Sequence, residues 1–237
     1  MNKGLKNNEK IIEHFFQSTQ RYVQDCLLDG DDLMQALCII VHKAWEIPKK
    51  YKGNSNQMGF ISEYLIFETI KQYVCKKKRV SFLAIERTRT SKGLIESNYF
   101  VDSLVNPCFL ICQGLRIRKN ESVKLDLPNT RYAHDIVYLV KEDGWFVKAI
   151  FEVKSFYDRP GLEKDISRLI FAENNYPLAD NSALVFVGFK SREDITSKEK
   201  ELMKVFTKGK NHFCILPGEK DPELGNSKLE EILAYVI

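Results

Sequence analysis

Four charged side chains hold the chemistry this sequence could perform: Glu63, Asp135, Glu152 and Lys154. Glu152-Val153-Lys154 ends a β-rich run that starts near Phe146. Strand side chains alternate, so Glu152 and Lys154 share one face and Val153 takes the other. Asp135 opens the preceding run, Ile136 to Val140, and Glu142-Asp143-Gly144 separates the two. Asp-Gly between apolar runs signals a tight hairpin. With Asp143-Gly144 as its loop, Glu142 faces Trp145, and counting back along both arms sets Asp135 directly opposite Glu152. Such partners have Cβ atoms about 4.5–5.5 Å apart. Two carboxylates that close repel unless a proton or a cation lies between them. Lys154 is one such cation. A hard divalent ion is another, since Mg²⁺ takes one or two carboxylates and keeps several waters. Read alone, Glu152 and Lys154 are an ordinary same-face ion pair and Asp135 a turn residue.

A further carboxylate changes that balance. A helix from about Asn56 to Val74 carries Glu63, whose neighbours at helical spacing are Gly59, Phe60, Ile66 and Phe67. An unpaired carboxylate on an apolar stripe is costly, so Glu63 calls for a cationic partner, which the hairpin cluster supplies. Glu68, beside Lys71 and Gln72, reads as the edge of the buried face.

The elements that must position these residues follow from the patterning. Helical spacing runs from Ile11 to Leu27, and a second helix from Asp31 or Asp32 to Trp45 must stop before Pro48. Val80 to Ile85 reads as a strand, as do Cys108 to Cys112 and Ser122 to Leu125; residues 88–106 give no assignable pattern. After the hairpin come a helix from Asp158 to about Asn174, a nearly all-apolar strand from Ala183 to Phe189, a helix over about 196–206, a short strand over about 213–216 and a last helix over about 228–236. A nearly continuous apolar strand suits burial on both faces. The order predicts an α/β fold: a mixed central β-sheet flanked by helices, with an N-terminal helical segment over 1–50 and the main domain over 51–237.

Composition sets the outer limits. The 237 residues are 44% hydrophobic and 29% charged, which excludes wholesale disorder and a coiled-coil rod. Lys and Arg number 36 against 32 Asp and Glu; the net charge of +4 is too mild to identify a nucleic-acid binder by itself. No apolar run spans a bilayer, and the polar N-terminus has no signal core, so a cytoplasmic location with no membrane partner is expected. Six cysteines, none in a Cys-x-x-Cys pair, and four scattered histidines point to reduced, mostly buried thiols rather than a zinc knuckle.

A helix bearing Glu63, then His134-Asp135, a hairpin, Glu152-Val153-Lys154, a helix and a buried strand together resemble the PD-(D/E)XK nuclease superfamily, the restriction-endonuclease-like fold, over roughly residues 55 to 190. His134 stands where many members have proline. The resemblance implies that Asp135 and Glu152 bind Mg²⁺ (Mn²⁺ as substitute) directly, with the Val153 carbonyl as a further ligand and Glu63 as a supporting or second-metal ligand. It implies that Lys154 orients or helps deprotonate the attacking water and stabilises charge on the phosphate. The activity implied is endonucleolytic hydrolysis of DNA, as a restriction or defence enzyme acting as a homodimer. A structure-selective repair or recombination nuclease is the alternative, and so is a non-catalytic nucleic-acid-binding module of the same fold.

Lys164 and Arg168, one turn apart on the helix after the motif, are the candidate nucleic-acid contacts, against a plain exposed helix face. Lys49 to Lys52, Lys76 to Arg79, Arg87 with Arg89, and Arg116 to Lys119 could line a phosphate groove, though each alone is ordinary surface. Ser155-Phe156-Tyr157 is read as packing rather than base stacking. His134 alternates to the face opposite Asp135 and is assigned a structural or substrate-backbone role.

Overall fold

Alternate residues between Ile136 and Lys154 go to two different apolar layers, and that division organises the molecule. The computed structural model describes residues 56–78, 83–89, 95–101, 109–115, 132–190, 192–217 and 227–237, with Met34, Leu37, Cys38, Val41 and Leu224 besides. Its strands lie in chain order in one sheet: β1 (Leu83–Arg89), β2 (Ile95–Val101), β3 (Phe109–Leu115), β4 (His134–Lys141), β5 (Trp145–Lys154), β6 (Leu178–Gly188) and β7 (His212–Ile215). Pairing is antiparallel from β1 to β5 and parallel from β5 to β7. Parallel neighbours need a crossover. Helix α2 (Arg159–Asn175) supplies it between β5 and β6, and α3 (Ser197–Phe206) between β6 and β7. Helices α1 (Asn56–Lys78) and α4 (Leu229–Val236) also pack against the sheet. This is the α/β class predicted, a mixed sheet flanked by helices.

On one face Ile136, Tyr138, Phe151, Val153, Val185 and Val187 pack against Leu65, Ile66 and Ile70 of α1 and Leu229 and Leu233 of α4. Met34, Leu37, Cys38 and Val41, all helical, are buried in this same layer. On the other face Val137, Leu139, Ile150, Leu184 and Phe186 meet Leu162, Ile166 and Leu169 of α2 and Met203 and Phe206 of α3. Each such side chain stabilises by about 1.5–3 kcal/mol when fully buried, so these stripes fix which way each helix faces. β6 is covered on both sides, which accounts for its apolar sequence.

The hairpin differs from expectation in two places that cancel. Its loop has three residues, not two: Lys141 pairs with Trp145, and the Glu142 N–H donates to the Gly144 carbonyl at 2.9 Å. That slips the register by one. A β-bulge then places Lys148 as an extra residue between Val147, opposite Leu139, and Ala149, opposite Tyr138. A bulge sets two residues against one and so reverses the alternation beyond it. Val147 faces α2, while Ala149, two residues on, faces α1. Past the bulge Ile136 pairs with Phe151, so Asp135 falls opposite Glu152 after all. The Lys148 ammonium caps the irregularity by donating to the Asp180 carbonyl on β6, next to Asn181 in the left-handed region at φ 54°.

Two other boundaries moved. The first strand expected at Val80 to Ile85 runs on to Arg89 as β1 (Leu83–Arg89), residues 80–82 lying outside the described residues, and β2 occupies part of the stretch with no assignable pattern. The expected helical run from Ile11 to Leu27, the strand from Ser122 to Leu125, and the basic stretches 49–52 and 116–119 lie outside the described residues. Among the described residues Cys38, Cys75 and Cys214 form no disulfide. No helix among the described residues is long and apolar enough to cross a membrane.

Candidate active site

The start of β4 and the end of β5 bring the charged residues together. Asp135 Oδ2 accepts a hydrogen bond from the Val153 backbone N–H at 2.7 Å and lies 3.7 Å from Lys154 Nζ. Here Val153 contributes its amide to the acid, while its side chain is buried in the layer under α1. Lys154 Nζ also lies 3.6 Å from Asp165 Oδ2. Asp165 comes from α2, where Leu162, Ile166 and Leu169 hold that helix face down; it is 1% exposed. Arg168, one turn later, stands 3.5 Å from Glu152 Oε2 and 3.6 Å from Asp165 Oδ1.

Glu152 is fully buried, and its second oxygen is held tightly. Oε1 lies 2.6 Å from His134 Nδ1, and His134 Nε2 lies 3.1 Å from the Tyr176 hydroxyl. His134 was expected on the opposite face. Its fully buried ring instead lies against Glu152 and Tyr176, because a buried imidazole needs partners for both nitrogens.

Glu63 reaches the same cluster from α1. Burial raises its pKa well above the carboxylate range, with the Asp135 and Asp165 carboxylates adding to the rise and the Lys154 ammonium opposing it. A hydrogen bond between the Ser62 and Ser155 hydroxyls ties this part of α1 to the chain just past β5. Glu68, expected at the edge, is fully buried instead; Lys71 Nζ at 2.5 Å and Gln72 Nε2 at 2.6 Å satisfy it.

Of the sequence candidates, Glu63, Asp135, Glu152 and Lys154 therefore converge. The two α2 cations part company: Arg168 joins the cluster and Lys164 is exposed. Tyr157 is buried and packs edge-on to Phe186, as read, whereas Phe156 is 59% exposed beside the site. Asp165 and Tyr176 were missed. Asp165 carries the same signal that picked out Glu63, a carboxylate inside an apolar helical stripe.

Electrostatics set the character of the cluster. Four carboxylates, Glu63, Asp135, Glu152 and Asp165, face two cations, Lys154 and Arg168. Burial first, then the neighbouring Asp135 and Asp165, raises Glu152 well above the carboxylate range; burial also raises Asp135 and Asp165. For Lys154 burial works towards a lower pKa, but the surrounding carboxylates outweigh it and hold the ammonium above its ordinary value. Burial, then Arg168, lowers His134 to about 4, so its ring is neutral near pH 7.

Among the described residues no three His, Cys, Asp or Glu side chains stand close enough to hold an ion. Glu152 is turned to His134 and Arg168, and Asp135 Oδ2 to Val153 and Lys154. The donor chemistry still suits a hard divalent cation. The oxygens are those of carboxyl groups, the four acidic side chains outnumber the two local cations, and the buried Oδ2 of Asp165 accepts no hydrogen bond from the described residues. Comparison with known proteins found no matching family model, no matching curated protein and no matching solved structure.

Proposed function

We propose that the protein is a Mg²⁺-dependent endonuclease that hydrolyses DNA phosphodiester bonds, a restriction or defence enzyme working in the cytoplasm as a homodimer. The observation that carries this reading is the convergence of Glu63, Asp135, Glu152 and Lys154 at one end of the sheet, where acidic groups outnumber cations. Asp135 and Glu152 would hold the metal, with Glu63 and the Val153 carbonyl in support, and Mn²⁺ would substitute. A bound divalent ion supplies Lewis-acid activation of the phosphoryl group and of water.

The chain's own residues do the rest. The Val153 N–H fixes Asp135, and His134 fixes one oxygen of Glu152. Lys154 is a firmly protonated ammonium, so it serves to balance charge on a phosphate oxygen and to orient water rather than to remove a proton. Arg168, 3.5 Å from Glu152, is a long contact that an incoming phosphate can take over.

Supercoiled plasmid incubated with Mg²⁺ tests this reading. Discrete linear products support a site-specific endonuclease, and cleavage of branched DNA alone supports the structure-selective nuclease. DNA that shifts in a gel but is never cut supports the binding module; the full burial of Glu152 behind His134 and Arg168 favours that second reading. Undiminished cutting by Lys154→Ala rules out the mechanism.

A further inference from the structure

We infer that His134 and Tyr176 form a positioning relay that holds one oxygen of Glu152 and leaves the other for the metal; the inference rests on the nuclease reading. The hydrogen bonds are His134 Nδ1 to Glu152 Oε1 at 2.6 Å and His134 Nε2 to the Tyr176 hydroxyl at 3.1 Å. A neutral imidazole has one donor nitrogen and one acceptor. When Glu152 is ionised, as a carboxylate holding a metal must be, it can only accept, so Nδ1 then carries the proton and Nε2 needs a donor. Tyr176 O–H is that donor, and it fixes the tautomer.

The surroundings hold the relay still. His134 is fully buried and Tyr176 is 8% exposed. Their rings meet edge-on at 5.6 Å, Phe171 meets Tyr176 edge-on at 6.1 Å, and Tyr132 meets Phe171 at 4.9 Å. Tyr176 is also the C-cap of α2, its N–H donating to the Ala172 carbonyl at 2.9 Å.

The two oxygens of Glu152 thereby become unequal. Oε1 sits in a short bond within a buried network. Among the described residues Oε2 faces the 3.5 Å contact with Arg168, longer than a good hydrogen bond. A ligand entering the site displaces the weaker contact. Because Arg168 and Tyr176 both belong to the α2 segment, docking of that one helix grips Glu152 from both sides, directly through Arg168 and through His134 from Tyr176. Partners that orient a ligating carboxylate typically change metal affinity by about 10–100-fold when removed.

The test is Mn²⁺ binding to the full chain by calorimetry, alongside the kcat and KM of plasmid cleavage. Tyr176→Phe keeps the ring and removes the donor; it is expected to weaken Mn²⁺ binding about tenfold. His134→Leu is expected to weaken it further, and His134→Asn, whose amide nitrogen can take the place of Nδ1, to recover most of the loss. KM for DNA should stay within about twofold while kcat falls, and the calorimetric Mn²⁺ stoichiometry, which general damage to the fold would lower, should stay at the wild-type value. If His134→Leu does not fold, Tyr176→Phe decides. Wild-type affinity and kcat in a folded Tyr176→Phe overturn the relay alone. Absence of Mn²⁺ binding by the wild-type protein overturns the relay together with the nuclease reading.

Discussion

Asp135 and Val153 are joined across the β4–β5 pair, the Val153 N–H donating to Asp135 Oδ2 at 2.7 Å. An amide oxygen can accept the same bond, so Asp135→Asn keeps the contact and removes only charge. In a cluster with surplus carboxylate the loss of one charge should stabilise. Relief of about 1 kcal/mol corresponds to a Tm rise of roughly 2–4 °C in a chain of this size. Asp135→Asn is expected to melt higher than wild type without added metal and to lose Mg²⁺-dependent cleavage. A lower Tm would show that the charge is already balanced.

Asp165 and Asp135 hold the Lys154 ammonium between them at 3.6 and 3.7 Å. Asp165→Asn leaves Lys154 with one anionic partner at this range and frees it to move. Turnover is expected to fall about tenfold, the size seen when a supporting partner at a metal site is lost, with the fold intact by circular dichroism. Unchanged kcat would remove Asp165 from the site.

Glu68 and Lys71 form a buried ion pair in α1. Breaking such a pair from one side strands a charge and costs about 3–5 kcal/mol, whereas replacing both partners with apolar groups is often neutral. In urea unfolding, Lys71→Met should therefore be less stable than Lys71→Met combined with Glu68→Leu. The reverse order would mean that Gln72 and Tyr64 satisfy Glu68 without the lysine.

Glu199 gives a pH dependence away from the site. Burial alone would raise its pKa, but hydrogen bonds from Thr196 and Lys190 outweigh burial and lower it below 4.5. A lowered folded-state value means that the contribution is present above about 4.5 and lost as pH falls through the folded value. Glu199→Gln should cost about 1 kcal/mol at pH 7, in the range of a lost helix cap. That deficit should shrink at pH 3; an equal deficit at both pH values would show that shape rather than charge matters.

Gly188 pairs with Lys154 in the parallel β5–β6 register. A Cβ there would lie 2.8 Å from Tyr157 Cε1 and 3.1 Å from Leu216 Cδ2. Gly188→Ala is expected to destabilise by about 1–3 kcal/mol, the usual size of overpacking, as read from the urea midpoint. A neutral result would show that Tyr157 can turn aside.

Periodicity made the layers legible. The stripe through Leu162, Ile166 and Leu169 and the apolar run of β6 both went where the pattern sends them. The opposition of Asp135 and Glu152 came out correctly from an incorrect loop, because the third loop residue and the bulge at Lys148 offset each other. No local signal marks that bulge; it is tied to Asp180, far along the chain. His134 was misplaced because alternation describes the backbone, while two buried nitrogens decided where the ring went. Tyr176 lies 42 residues from the histidine it binds, a separation that spacing rules do not reach. β2 escaped notice because Ile95 to Val101 mixes apolar residues with Glu96, Ser97 and Asn98.

Residues ahead of Lys148 and residues behind it keep two different phases of the pleat. Growth at the hairpin tip can be taken up by re-pairing Trp145 to Val147 while Ile150 to Lys154 stay in phase. Loss of Lys148 alone would set Ala149 directly after Val147, remove the bulge and leave Glu152 and Lys154 on the α2 face with Val153 still beneath α1. A missing codon four positions upstream of the glutamate would thus spare the acidic cluster, because the irregularity absorbs the lost residue.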